Sequence, residues 1–196
     1  MTMKQSRSLV SMLLSVLFAF LAAGCSIHTS TSSGNKQKDV DIRSPFGSIS
    51  VHQGAVDAKD IGLPAYPGAR PRNGHDEDGD SDNANVNISS GLFGVKVVVQ
   101  KFETDDSPDK VLDFYQKPMG KYGKVIQCSG GYHRSFHHHD MDAPVSCDNI
   151  SNGSEKELKV GTENDQHVVA VKPQGKGSEF TLVYVRARES DDKDTI

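Results

Sequence analysis

The sequence predicts an α+β fold, in which one principal helix packs on a mainly antiparallel sheet. Val- and Ile-rich segments with strand alternation occur on both sides of a single segment with helical spacing. That segment, Asp105–Gly123, carries signals for a helix start and stop. The resulting order of hairpin, helix, strand and β-meander is typical of a two-layer domain.

The first 24 residues have the organisation of a signal peptide. Lys4 and Arg7 precede the apolar run Leu9–Leu21. As a helix this run would be about 20 Å long, which is too short to cross a bilayer. We therefore expect residues 1–24 to be removed, and the alternative is a secretory leader that is cut at another position.

The segment LAAGC, Leu21–Cys25, resembles the bacterial lipobox. The resemblance implies that Cys25 carries a diacylglyceryl lipid, with palmitate as an acyl chain, and becomes the first residue after cleavage. If the leader is cut elsewhere, Cys25 is an ordinary thiol. By resemblance to enterobacterial sorting, Ser26 after the cysteine favours the outer membrane. The expected location is the cell envelope, anchored by lipid and facing the periplasm.

The charge of the processed chain argues against two classes of partner. Removing Lys4 and Arg7 from 22 basic residues leaves 20 against 26 acidic ones, a net charge of −6. This balance argues against nucleic acid as a partner and against a polybasic membrane patch. The lipid is then the expected membrane contact. Residues 25–38 are Ser/Thr-rich and predict a flexible tether, and residues 189–196 predict a disordered acidic tail.

The folded part is predicted to contain a short β hairpin over residues 39–54 and an α+β domain over residues 55–188. Within the domain, Pro67-Gly68 suits a type II turn, and Asn85–Thr104 predicts two strands joined by a Gly-containing segment. The acidic stretch His75–Asn83 lacks the Gly and Glu that a calcium loop requires, which favours a solvated loop. Three further strands are expected at Glu157–Thr162, His167–Lys172 and Phe180–Arg188.

The predicted helix has Ser107 as N-cap, Pro108 at its first position and Gly123 after its last turn. Pro118 removes a backbone hydrogen bond and should kink or divide the helix. One face should be apolar and pack in the core, because its residues recur at helical spacing: Val111, Leu112, Tyr115, Met119 and Tyr122.

Two short motifs resemble a pattern in bacterial envelope lipoproteins of uncharacterised function. They are the Tyr-Pro-Gly-Ala turn at Tyr66–Ala69 and the VL-x-FY segment at Val111–Tyr115. The resemblance covers residues 61–188 and implies that the helix packs across the sheet in an envelope protein. It implies no activity and no catalytic residues.

Cys128 and Cys147 are the cysteines that remain once the lipobox claims Cys25. Outside the cytoplasm such a pair usually forms a disulfide. The bridge would close a loop of about 20 residues, which contributes about 3 kcal/mol in the chain-entropy model.

The loop between these cysteines is rich in histidine. His133, His137, His139 and Met141 could bind copper, and Asp140 or Asp142 with imidazoles could bind zinc or nickel. The glycines, Pro144 and the lack of regular periodicity favour a polar surface loop without a physiological metal. No cofactor is therefore expected apart from the lipid on Cys25.

Two functions remain open. The leading hypothesis is a non-catalytic envelope lipoprotein that presents its domain to another envelope protein or polymer, since the sequence contains no nucleophile elbow, P-loop or zincin motif. The alternative is a metal-binding lipoprotein that uses the loop at 133–141. An exposed apolar patch on the sheet would favour the first hypothesis, and converging histidine nitrogens would favour the second.

Overall fold

The computed structural model describes residues 26–31, 38–53, 58–72, 83–91, 93–129, 142–147 and 153–189. Within these residues it confirms an α+β fold with a mainly antiparallel sheet and one principal helix. The strands are β1 Ser26–Thr31, β2 Lys38–Ser44, β3 Gly47–Gln53, β4 Arg70–Pro71, β5 Ala84–Ser90, β6 Phe93–Thr104, β7 Ile126–Ser129, β8 Lys156–Thr162, β9 Asp165–Gln174 and β10 Gly177–Glu189. The helices are α1 Ala58–Ile61 and α2 Pro108–Met119, and a 3-10 turn follows at Gly120–Tyr122.

The described strands form one sheet in the order β1-β2-β3-β5-β6-β10-β9-β8-β7, with β4 paired to the far part of β6. Every pairing between named strands is antiparallel. The predicted hairpin of residues 39–54 belongs to this sheet, because β3 pairs with β5 along its whole length. The sheet therefore continues across the boundary predicted between residues 54 and 55.

The segment expected to be a flexible tether contains a strand. Ser26–Thr31 forms β1 and pairs with β2 from Ser26 opposite Arg43 to Thr31 opposite Lys38. The edge of β2 offers unpaired backbone groups, which a polar segment can satisfy without an apolar pattern of its own. Residues 32–37 of the predicted tether and residues 190–196 of the predicted tail lie outside the described residues.

Helix α2 follows its sequence signals at the start and departs from them at the end. Ser107 has the extended backbone of an N-cap and Pro108 begins the helix, although the Ser107 hydroxyl makes no capping hydrogen bond. The α-helix ends at Met119, directly after Pro118, and the chain tightens into the 3-10 turn. Gly123 then turns with φ 140°. The missing N–H of Pro118 thus coincides with the change of helix type.

The core lies between α2 and one face of strands β6, β8, β9 and β10. Tyr115 and Met119 of α2 are fully buried there, together with Leu158, Val169 and Leu182 of the strands. The side chains of one face alternate with those of the other along each strand. This packing confirms the predicted apolar face of α2, except for Tyr122, which is 37% exposed.

Candidate interaction surface

The predicted disulfide is present. Cys128 of β7 is bonded to Cys147, and their Cα atoms are 5.4 Å apart. The segment before Cys147 is held beside β8, where the Val145 N–H donates to the Gly161 carbonyl at 3.1 Å. The bridge therefore fixes both ends of the intervening loop on adjacent parts of the sheet.

The candidate metal ligands His133, His137, His139 and Met141 lie outside the described residues, as does Cys25. At the edge of this gap, the Asn164 side-chain amide donates to the Asp142 carboxylate at 2.9 Å. In the part of the chain that the structure describes, no three His, Cys, Asp or Glu side chains come together as a metal site. The metal hypothesis therefore stays a prediction.

The two motifs of the envelope-lipoprotein resemblance meet in the core. Tyr66 packs edge-on against Phe114, with ring centroids 5.0 Å apart, and lies 6.3 Å from the ring of Tyr115. The Tyr66 hydroxyl donates to the Asp106 carboxylate at 2.9 Å, and the Tyr115 hydroxyl donates to the Pro64 carbonyl at 3.1 Å. Burial and the hydrogen bond to Asp106 raise the pKa of Tyr66 to about 12. Both motifs thus have a structural role, and the neutral hydroxyls act as fixed donors.

A stack of three rings, which was not predicted from the sequence, joins the 3-10 turn to the sheet. The His167 ring lies between Tyr122, at a centroid distance of 3.8 Å, and Tyr184, at 4.7 Å. The Tyr122 hydroxyl donates to the Gly62 carbonyl at 2.7 Å. Burial lowers the pKa of His167, although its backbone hydrogen bond to Ile61 opposes that shift. The stack therefore contains a neutral imidazole.

The stability of the protein should depend on this imidazole. Because the pKa of His167 is lower in the folded state than the ordinary value of about 6.5, the unfolded chain binds the proton first as pH falls. The contribution of His167 is therefore complete above about pH 6.5 and decreases as pH falls from there toward the folded pKa. We expect the free energy of unfolding, from urea titrations at pH 7.5 and pH 5.5, to fall less in His167→Phe than in the wild type. An equal fall in both proteins would contradict this assignment.

A buried carboxylate that was also not predicted from the sequence lies on the face of the sheet that α2 does not cover. Glu179 is 3% exposed and forms ion pairs with Lys172, at 2.7 Å, and with Arg72. Arg72 also lies 3.7 Å from Glu103. A buried carboxylate needs such partners, because burying an unpaired charge is costly. The cluster holds the end of β4 against β10 and β6.

Beyond the core, β1, β2, β3 and β5 extend the sheet past the strands that α2 covers. Their alternation gives two different faces. One face, called here the apolar face, continues onto β6 and carries Val40, Ile42, Ile49, Val51, Val86, Ile88, Val95 and Val97. The opposite face, called the polar face, carries Asp39, Asp41, Arg43, Ser48, Ser50, His52, Asn85 and Asn87.

The apolar face retains contact with solvent. Ile49 is 38% exposed, Ile27 of β1 on the same face is 66% exposed, and the paired Val51 and Val86 are half-buried. Contiguous apolar surface of this kind marks binding sites in soluble domains. This surface was not evident from the sequence, because it depends on the register between strands that are far apart in the chain.

The chain matches no protein-family model, no curated protein and no solved structure in the comparisons made. Neither helix in the described part of the chain is both long and apolar enough to cross a membrane.

Proposed function

We propose that the protein is a lipid-anchored, non-catalytic interaction module of a bacterial envelope, which binds another envelope protein or polymer through the apolar face. The observation that carries the proposal is the partly exposed Val/Ile surface of β2, β3 and β5, on which Ile49 is exposed and its neighbours are half-buried. An apolar patch on the sheet is the feature that we expected to favour the interaction hypothesis over the metal-binding one. The lipobox resemblance at Cys25 supports the proposed anchor, and with it a position of the domain at a membrane surface.

The geometry of the apolar face supports a partner that covers several strands at once. Val40 pairs with Val51, and Val51 pairs with Val86, so these side chains form a row across three strands. Ile42, Ile49 and Ile88 form a parallel row. Burying such rows is favourable by about 25 cal/mol for each Å² removed from water.

Photocrosslinking in cells tests the proposal. A photoreactive residue at position 49 should give a discrete covalent adduct with one envelope component, and the same residue at Asn87 on the polar face should not. Val86→Lys, which places a charge in the neighbouring row, should abolish the adduct without unfolding the domain. Identical adducts from positions 49 and 87, or an adduct that survives Val86→Lys in a folded protein, would refute binding through the apolar face.

A further inference from the structure

One end of the sheet, called here the proximal end, lies next to the predicted lipid anchor. Cys25 immediately precedes Ser26, so their Cα atoms are separated by one peptide unit, about 3.8 Å. Ser26 begins β1 and pairs with Arg43 near the end of β2. The register then continues from Gly47 to Ser90 and from Ser89 to Gly94. The β2–β3 turn and the start of β6 therefore lie at the same end as Ser26.

The proximal end exposes two phenylalanines. Phe46 in the β2–β3 turn is 85% exposed, and Phe93 at the start of β6 is 49% exposed. Phe46 lies between β2 and β3, which are three and two strand spacings from β6, so the two phenylalanines are separated by about 10–14 Å across the sheet. Aromatic side chains separated in this way can enter a flat apolar surface together. The bilayer interface is such a surface, and Phe is among the residues that enter it.

The last row of side chains on the polar face is cationic. Arg43 of β2 and Arg188 of β10 are exposed there, and Ser48, Ser89 and Gly94 lie between them. The row contains no carboxylate. Strands β2 and β10 are four strand spacings apart, about 19 Å, so each guanidinium would meet a separate phosphate group, and arginine is suited to bind phosphate.

An open depression connects this row with a second pair of cations. Lys96 and Arg186 line it together with Arg188 and the β5–β6 hairpin. Acidic residues reduce the positive charge nearby: Asp165 lies 3.4 Å from Arg186, and Glu163 is exposed in the β8–β9 turn. Asp41 lies in the row next to Arg43 on the polar face, and Glu189 pairs with Phe93 in the register. Arg43 and Arg188 belong to the last row of the polar face. In the register this row is closer to Phe46 and Phe93 than the row that contains Lys96 and Arg186.

We propose that the proximal end docks onto a bilayer containing anionic phospholipid, with Phe46 and Phe93 entering the interface and Arg43 and Arg188 facing phosphate groups. Docking rests on the part of the proposed function that places Cys25 at a membrane. It goes beyond the lipid anchor, because it fixes the orientation of the domain. The sheet then stands on the membrane by its proximal end and presents the apolar face sideways.

The absence of tryptophan from the chain allows a direct test. The chain from Cys25 to Ile196 contains every described residue, and with Cys128 and Cys147 bridged, its free thiol is Cys25. That thiol is coupled to a maleimide phospholipid in vesicles, which fixes the anchor whether or not the cell acylates Cys25. Single-tryptophan variants Phe46→Trp and Phe93→Trp are compared with Gln174→Trp, at the last residue of β9 and the opposite end of the sheet.

In vesicles of brominated phosphatidylethanolamine and phosphatidylglycerol, the tryptophans at positions 46 and 93 should lose emission about twofold, because bromine quenches indole within the acyl-chain boundary. The tryptophan at position 174 should be unaffected. Arg43→Gln with Arg188→Gln should reduce the quenching in anionic vesicles and leave the weaker quenching in zwitterionic vesicles unchanged.

Three results would overturn the proposal. They are no quenching at positions 46 and 93, equal quenching at all three positions, and quenching that disappears when protein is diluted on the vesicle, which would indicate contact with a second copy. The quenching measured on the maleimide-coupled protein does not depend on whether the cell acylates Cys25. Failure of docking is therefore distinguishable from failure of the lipoprotein assignment, which mass spectrometry of the native protein tests.

Discussion

Replacing Tyr115 by alanine is expected to lower the free energy of unfolding by about 3–5 kcal/mol, the range for removing a large buried aromatic side chain. Tyr115 is fully buried, and its ring lies among those of Tyr66, Phe114 and Phe180, with centroid distances of 6.3, 5.0 and 6.1 Å. The truncation would leave a cavity at the contact between α2 and the sheet. Since domains of this size are stable by about 5–15 kcal/mol, this loss would be a substantial fraction of the free energy of unfolding.

A graded pair of variants separates ring packing from hydrogen bonding. Tyr115→Phe keeps the ring but leaves the Pro64 carbonyl without the donor at 3.1 Å, so we expect a loss of about 1–2 kcal/mol. Phe46→Ala removes an aromatic ring of similar size from a position that is 85% exposed, and should stay within about 0.5 kcal/mol of the wild type. Urea unfolding followed by circular dichroism measures all three. A loss for Tyr115→Ala no larger than that for Phe46→Ala would contradict the core described above.

Replacing Cys25 by alanine is expected to abolish acylation and stable retention in the membrane. The thiol is the predicted attachment point of the diacylglyceryl group, and two acyl chains are needed for stable anchoring. Mass spectrometry should find the lipid on the wild type and no lipid on the variant. Absence of an acyl group from the wild type would remove the lipoprotein assignment.

An uncleaved leader in Cys25→Ala could itself hold the chain in a membrane. A matched variant therefore replaces residues 1–25 by a secretory leader that is cut before Ser26. This protein should appear in the soluble periplasmic fraction, apart from weak, salt-sensitive binding to anionic lipid. Firm retention after a high-salt wash would show that the anchor is elsewhere in the chain.

Local features were predictable from the sequence because each depends on neighbouring residues. Ser107 and Pro108 place the helix start within one turn, and Gly68 adopts the positive φ of 73° expected of the Tyr-Pro-Gly-Ala turn. The Cys128–Cys147 bridge was predictable from cysteine counting combined with the expected compartment. These signals needed no knowledge of the strand order.

The rest depends on pairing between distant segments. Arg43 and Arg188 share the last row of the polar face because β2 and β10, from opposite ends of the chain, bring them to the proximal end of the sheet. A net charge of −6 gave the opposite expectation, because it averages over all surfaces. His167 likewise lies in a run of apolar strand residues, and its stacking partners Tyr122 and Tyr184 come from separate elements.

Asn83 lies beside β6, immediately before the first residue of β5 and after the end of β4 in the chain. Its amide nitrogen donates to the Arg72 carbonyl at 2.5 Å, and its amide oxygen accepts from the Lys101 N–H at 2.8 Å. The Arg72 N–H donates to the Lys101 carbonyl at 2.9 Å, so both ends of the segment 73–82 are fastened to one residue of β6. Because both attachment points are fixed by Arg72, Asn83 and Lys101, a change in the number of residues between them would leave these hydrogen bonds in place, and lengthening a loop has a small entropic cost. For the same reason, position 78 is a suitable place to graft an epitope or a small reporter domain into the folded protein.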